Sequence, residues 1–425
     1  MKILSIETSC DETAVALVEV SLSDSSIHAH TMQAELFSQI DIHKEFGGVF
    51  PIVAKREHAT WLPILLERVL ARHPRVNGNP GIKQLDPRLR EDDVTESEDD
   101  VVGSEDDVVG SEDNTVGSED NTVGSEDGVL LQEIESILAR ENGLFEKTKI
   151  LLEKYSAPDI DMIAVTQGPG LEPALWVGIS FAKALSLYWN IPLVGTNHMK
   201  GHIFSVLLNQ SEVQFPSLAL LISGGHTELV EMNSISEFKI IGQTRDDAIG
   251  ESYDKVARMI GLEYPGGPKI AELASQARHL GLGSGPITLP RPMIHTPDLD
   301  FSFSGLKTAV LYKTREFEFL DQTTKMHIAH EFEQAITDVI LYKLKKALTQ
   351  RPYKSLIISG GVIANTYLRT QIEGLASSLD IPLLLPKISD STDNAQMIAV
   401  AGAIESLSNK PTINPQITAQ GSLQY

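Results

Sequence analysis

Short apolar runs bounded by polar turns recur along the chain in two similar cycles. Residues 2–6, 13–20 and 28–36 read as three consecutive strands, the first two joined by the polar turn ETSCDE at 7–12. A helix follows over 54–71 and another over 130–154. Residues 162–166 (MIAVT) form an apolar run of the kind buried in a parallel sheet, followed by a helix over 174–189 and a short strand at 193–195. The second cycle begins at 218–222, with companion strands at 228–232 and 239–242. Helices at 254–260, 269–280, 329–348 and 365–379 alternate with strands at 355–359 and 383–385. Residues 301–307 (FSFSGLK) alternate aromatic and small polar positions, as in a half-buried strand. Strand triplets followed by alternating helices and strands, seen twice, predict two duplicated α/β lobes around a cleft. The first lobe is expected over 1–196, completed by 391–425, and the second over 197–390.

Charge changes the picture in one place. Of the formal net charge of −23 on 425 residues, 16 acidic residues without one Lys or Arg fall between 91 and 127, leaving −7 on the rest. The same stretch repeats VGSED at seven-residue spacing. Seven is the coiled-coil period, but a glycine in every unit costs about 1 kcal/mol in a helix and the neighbouring acids repel. The composition predicts a disordered acidic insertion over about 75–128. A single cysteine, Cys10, excludes an intrachain disulfide framework. No apolar run approaches the roughly 18 residues of a membrane span. The first residues turn polar too soon for a secretory signal, so a cytoplasmic protein is expected.

Candidate chemistry gathers at the strand ends. Glycine or small polar residues follow four strands, at 7–12, 168–170, 223–225 and 359–361, where backbone N–H groups can approach an anion. None fits the Walker or dinucleotide glycine spacing. His198 and His202 stand four apart, on one face of a helix, as two metal ligands would. Met199 occupies the position where a zinc protease of the HExxH type carries its general base. Asp393, at the start of a helix behind a loop, is the candidate third ligand, and two imidazoles with a carboxylate suit zinc or non-haem iron alike.

Strings along the chain together resemble the TsaD family of tRNA adenosine threonylcarbamoyltransferases. They are IETSCDETAVALVE at 6–19, AVTQGPGLEPALWVGISFAKAL at 164–185, NHMKGH at 197–202, LISGGHTELV at 221–230, DDAIGESYDKVARMIGLEYPGGP at 246–268, FSFSGLKTAV at 301–310, SGGVIAN at 359–365 and STDNAQMIA at 391–399. The resemblance implies a fold of the actin-like, sugar-kinase and Hsp70-like ATPase superfamily, ribonuclease H-like in each lobe. It implies transfer of threonylcarbamoyl from its adenylate to the adenosine following the anticodon. It implies one divalent metal ion per subunit, iron first and zinc as the alternative, on His198, His202 and Asp393. Leu221, Ile222, Ser223, Gly224, Gly225, Asp254, Gly267 and Asn365 would hold the adenylate, and Asp11 would serve catalysis. Partners so implied are tRNA, a paralogous dimer partner and a small ATPase. Two positions depart from the family pattern: Lys200 between the histidines, expected to point away from the ligand face, and Ile52 in place of an acid. A metalloprotease, a sugar kinase and a nucleotide-binding assembly subunit are the competing readings.

Overall fold

The computed structural model describes residues 1–22, 27–72, 126–209 and 212–425. Its first sheet comprises β1 (Lys2–Glu7), β2 (Glu12–Leu22), β3 (Ile27–Ser38), β4 (Met162–Gly168) and β5 (Leu193–Asn197), in the order β3-β2-β1-β4-β5. Ile6 of β1 lies opposite Val15 on antiparallel β2 and opposite Val165 on parallel β4. The second sheet comprises β6 (Ser217–Ile222), β7 (Thr227–Met232), β8 (Phe238–Gln243), β9 (Ser355–Ser359) and β10 (Leu383–Leu384), in the order β10-β9-β6-β7-β8. Read from its other edge this is the order of the first sheet. In both, the lead strand has two meander partners on one side and two parallel crossover partners on the other. The protein is a duplicated α/β structure, as expected from the sequence.

Alternation along the lead strands decides which helices cover which face. Leu4 and Ile6 of β1 point into a core shared with α2 (Pro51–Ala71), α3 (Glu126–Leu138), α4 (Leu144–Lys154) and α5 (Glu172–Trp189). Leu218, Leu220 and Ile222 of β6 do the same with α7 (Ile249–Met259), α8 (Gly266–His279), α9 (Ser304–Thr314), α10 (Gln322–Gln350) and α11 (Thr366–Ser378). The opposite faces, with Ile3 from one sheet and Ala219 and Leu221 from the other, meet a common core around α6 (His198–Phe204) and α12 (Ala395–Ser408). This core joins the lobes. Met397 and Ile398 of α12 are wholly inaccessible, and burying each gains roughly 1.5–3 kcal/mol. A Cβ at Gly402 would stand 2.6 Å from the Ala164 Cβ, so only glycine lets α12 lie this close to β4.

Two expectations are corrected. Residues 130–154 are two helices, not one, because Gly143 adopts φ +73° between α3 and α4. Only Phe301 of the 301–307 segment makes a bridge, to Thr244, and α9 begins at Ser304. The helix starts there because the Asp246 carboxylate, from a distant loop, accepts the Phe303 and Ser304 amides at 2.8 and 3.2 Å and both serine hydroxyls. The acidic repeat lies outside the described residues, except that 126–128 open α3. Among the described residues no helix is long and apolar enough to cross a membrane.

Candidate metal and adenylate site

β5 ends at Asn197, whose side chain caps α6 by accepting the Met199 and Lys200 amides at 2.8 and 3.1 Å. The cap starts the helix at His198 and so places His198 and His202 one turn apart, ring centroids 4.7 Å from each other. Asn394 caps α12 through the Met397 amide at 2.9 Å, which leaves Asp393 as the last loop residue before the helix. Asp393 Oδ1 reaches His202 Nε2 at 3.0 Å and His198 Nε2 at 3.5 Å. One donor atom from each of the three lies within 4.8 Å of the others, and among the described residues no other such cluster occurs.

The donor set fits a metal. Both ring nitrogens of His202 are buried without a hydrogen bond, although Nε2 is close to Asp393. Atoms near one another but not aimed at one another are arranged for a common third atom. Behind them, Glu7 at the end of β1 is wholly buried, its Oε2 accepting from Thr166 Oγ1 at 2.6 Å and from His198 Nδ1 at 3.1 Å. Its Oε1 accepts the Ser9 amide at 2.5 Å. A carboxylate on Nδ1–H leaves Nε2 of His198 bare, the tautomer a metal ligand needs. Burial works to raise the Asp393 carboxyl, but the two histidines outweigh it and hold it far below the usual carboxylate range. Burial likewise opposes a charged His198, and Asp393 with Glu7 outweigh it, raising that imidazole well above its usual value. The site is built for positive charge. Burial, then the charge of His198 and His202, pushes His226 down to about 4.

Lys200 turns away from these ligands: its Nζ meets Glu405 at 3.2 Å and lies 5.3 Å over the Phe238 ring. Glu7 was not singled out from the sequence. The available signal was a carboxylate at the C-terminal end of a buried parallel strand, where a charge survives only with partners.

The glycine turns separate into two kinds. At 168–170 a Cβ on Gly168 would strike the Gln420 carbonyl and one on Gly170 would stand 2.6 Å from the Ser9 carbonyl, so close backbone packing accounts for these glycines. Gly224, Gly225, Gly267 and Gly361 have open space where a Cβ would be. Leu221 and Ile222 are buried at the end of β6 and deliver Ser223-Gly224-Gly225 to the surface. The Gly250 amide, in the first turn of α7, donates to Ser223 O at 3.3 Å and the Glu251 amide to Gly224 O at 3.1 Å. A Cβ on Gly250 would meet Gly224 Cα at 2.8 Å, so glycine lets the N-terminus of α7 abut the turn.

Asp254 and Asn365 are more occupied than the sequence indicated. Asp254 Oδ1 accepts the Gly266 amide at 2.7 Å and so fixes the start of α8 next to Gly267. Burial raises its carboxyl against this bond and one from Gly267. Asn365 Oδ1 caps α11 through the Leu368 amide at 2.9 Å, while Nδ2 donates to the buried Glu333 at 2.6 Å. Asp11 sits in the β1–β2 turn with 7% of its surface exposed. Burial raises its carboxyl, the Cys10 thiol opposes this, and the Asp393 charge adds to it. Glu12 beside it is raised well above the usual carboxylate range, by burial first and then by the Asp11 charge.

The chain resembles proteins of known family along nearly its whole length. A family model described as TsaD, tRNA N6-adenosine threonylcarbamoyltransferase, matches residues 147–400. A protein of that name from Thermosipho melanesiensis is 36% identical over 402 residues, covering 95% of this chain and 94% of its own. One from Burkholderia ambifaria is 37% identical over 410 residues, covering 95% and 92%. Among solved structures, full-length HypF in a phosphate- and nucleotide-bound form aligns with a TM-score of 0.44 at 14% identity, over 63% of this chain and 42% of that one. Component A of the Acidaminococcus fermentans (R)-2-hydroxyglutaryl-CoA dehydratase aligns with a TM-score of 0.36 at 12% identity, over 63% and 85%. The agreement in sequence with the curated relatives decides the matter: this chain belongs to the TsaD family, the tRNA N6-adenosine threonylcarbamoyltransferases.

Proposed function

We propose that this protein transfers threonylcarbamoyl from threonylcarbamoyl-adenylate to the N6 amine of the adenosine 3′ to the anticodon, in tRNAs reading codons that begin with A, and releases AMP. The observation that carries this reading is family membership over 95% of the chain. In the reaction the amine nitrogen bonds to the carbamoyl carbon, the bond from that carbon to the phosphate oxygen breaks, and one N6 proton leaves.

The chain's residues have matching tasks. In the open turn held against α7, the Gly224 and Gly225 amides would face the phosphate. Gly267 gives the adenosine room beside Asp254, and Asn365, held by its cap on α11, would contribute to the same site. Asp11 accepts the N6 proton, its carboxyl raised by burial toward the range a general base needs. His198, His202 and Asp393 would hold one divalent ion, iron with zinc as alternative. When bound, that ion supplies Lewis-acid stabilisation of negative charge. Met199, where a protease would carry its base, is a buried core residue. A cytoplasmic location follows from a tRNA substrate, and a paralogous dimer partner and a small ATPase complete the assembly.

The test is to incubate the protein and its partners with the adenylate and unmodified tRNA, then digest the tRNA and weigh its nucleosides. Threonylcarbamoyladenosine is the expected product. AMP release with the adenosine left unmodified would instead favour a nucleotide-binding assembly subunit.

A further inference from the structure

A cavity of about 430 Å³ lies between the lobes, walled by Lys44 and Gly47 of the first and by Asp254, Arg258 and Tyr264 of the second. Arg258 donates to the Gly47 carbonyl and closes it on one side. Glu45 and Glu263 also line it, so its cations are outnumbered by acids and it suits an uncharged group better than a phosphate. Its depth is close to the chemistry. Asp254 holds the start of α8, and the Tyr264 hydroxyl is near enough to Asp11 and Asp254 to feel both charges.

Beside this cavity the surface is unusual. Phe46, between the lining residues Glu45 and Gly47, is 54% exposed and stacks on Phe50, itself 47% exposed, with ring centroids 5.6 Å apart. Ile52 is 70% exposed, and Arg56 projects one turn further along α2. We infer that this cavity receives the base of the acceptor nucleotide, and that the Phe46–Phe50 pair stacks the base next to it. The inference rests on the tRNA reading above and names where the RNA enters. Unpaired nucleotides are recognised by splaying bases onto aromatic faces, with hydrogen bonds to their edges deeper in. The order found here matches: Phe46 stands between the lining residues Glu45 and Gly47, and Asp254, Arg258 and Tyr264 offer polar edges within. Three exposed apolar side chains are too few for a stable protein interface, which buries about 800 Å² per partner.

The probe is an anticodon stem-loop RNA with 2-aminopurine replacing the nucleotide 3′ to the target adenosine, titrated with the protein and its partners. Stacking predicts quenched fluorescence on wild type. It predicts binding about tenfold to a hundredfold weaker, with the quench lost, for the double variant Phe46→Ala, Phe50→Ala. Phe46→Tyr with Phe50→Trp restores both, and affinity for AMP stays at the wild-type value throughout. Equal affinity and quench in the double alanine variant would overturn the inference. So would retained RNA binding with lost assembly in sedimentation, which makes the face a protein-docking surface. Wild type that quenches yet transfers nothing contradicts the proposed reaction and leaves the RNA site standing. Transfer by wild type with no response of probe or variants removes this site alone.

Discussion

Glu7→Gln replaces a buried carboxylate with an amide of the same shape and tests whether His198 is prepared as a ligand. In the wild type three donors converge on Glu7: the Ser9 amide on Oε1, and Thr166 Oγ1 with His198 Nδ1–H on Oε2. An amide has one acceptor oxygen, so one side of this arrangement must fail. If the NH2 faces Ser9, a buried N–H is left unpaired, at a cost of about 1–3 kcal/mol. If it faces His198, Nδ1 must accept and the proton moves to Nε2, the nitrogen 3.5 Å from Asp393. That tautomer cannot ligate a metal. In the metal-free protein the loss is smaller, because Nε2–H still faces the Asp393 carboxylate. Metal affinity should therefore fall about 10- to 100-fold, or roughly 1.4–2.7 kcal/mol, while metal-free stability falls by less. The assay is chelator competition for iron and for zinc, under nitrogen, with urea unfolding of the metal-free proteins alongside. A dissociation constant within twofold of wild type would refute the assignment of Glu7.

His58 is wholly buried, donates from Nε2 to the Cys10 carbonyl at 3.1 Å and accepts at Nδ1 from Thr13 Oγ1 at 2.8 Å. Burial pushes its pKa down to about 4 against that bond, whereas the unfolded chain titrates near 6.5. The unfolded state thus takes up the proton first, and stability is lost as pH falls from 6.5 toward 4, by about 3 kcal/mol from this group. His58→Gln should flatten the unfolding free energy over that window in urea titrations; an unchanged slope would contradict the assignment. Asp246→Ala removes four hydrogen bonds from the start of α9 and should cost about 1–2 kcal/mol. Hydrogen exchange should accelerate in the first turn of α9, and unchanged protection there would show that the helix needs no outside cap.

How far the sequence could be read depended on whether the cause of a feature was local. Near-continuous apolar runs in β1 and β6 marked both lead strands, because each face of a doubly covered strand needs apolar residues. His198 and His202 were visible because helical spacing is a short-range property, and Lys200 turned away for the same reason. The start of α9 was not visible: its cap, Asp246, comes from 58 residues away. The role of Glu7 was hidden likewise, since its partners Thr166 and His198 sit on other strands and helices. Gly168 and Gly170 imitated a phosphate turn, and only the chain packed against them, from Gln420 and Ser9, tells them from Gly224 and Gly225. That C-terminal segment reads as polar, yet Tyr425 Oη meets Glu228 at 2.9 Å and its ring stacks on Phe238 in the second lobe.

The central claim, a transferase working at the His198, His202 and Asp393 site, is tested most directly by single-turnover transfer of radiolabelled threonylcarbamoyl from its adenylate to unmodified tRNA. Wild type, His198→Ala and Asp393→Ala are compared with the partner proteins present and the metal content of each measured. The account predicts transfer by wild type, with metal and transfer lost together in both variants while the fold persists. Wild-type rates from metal-free variants, or no transfer from a folded, metal-loaded wild type, would contradict it.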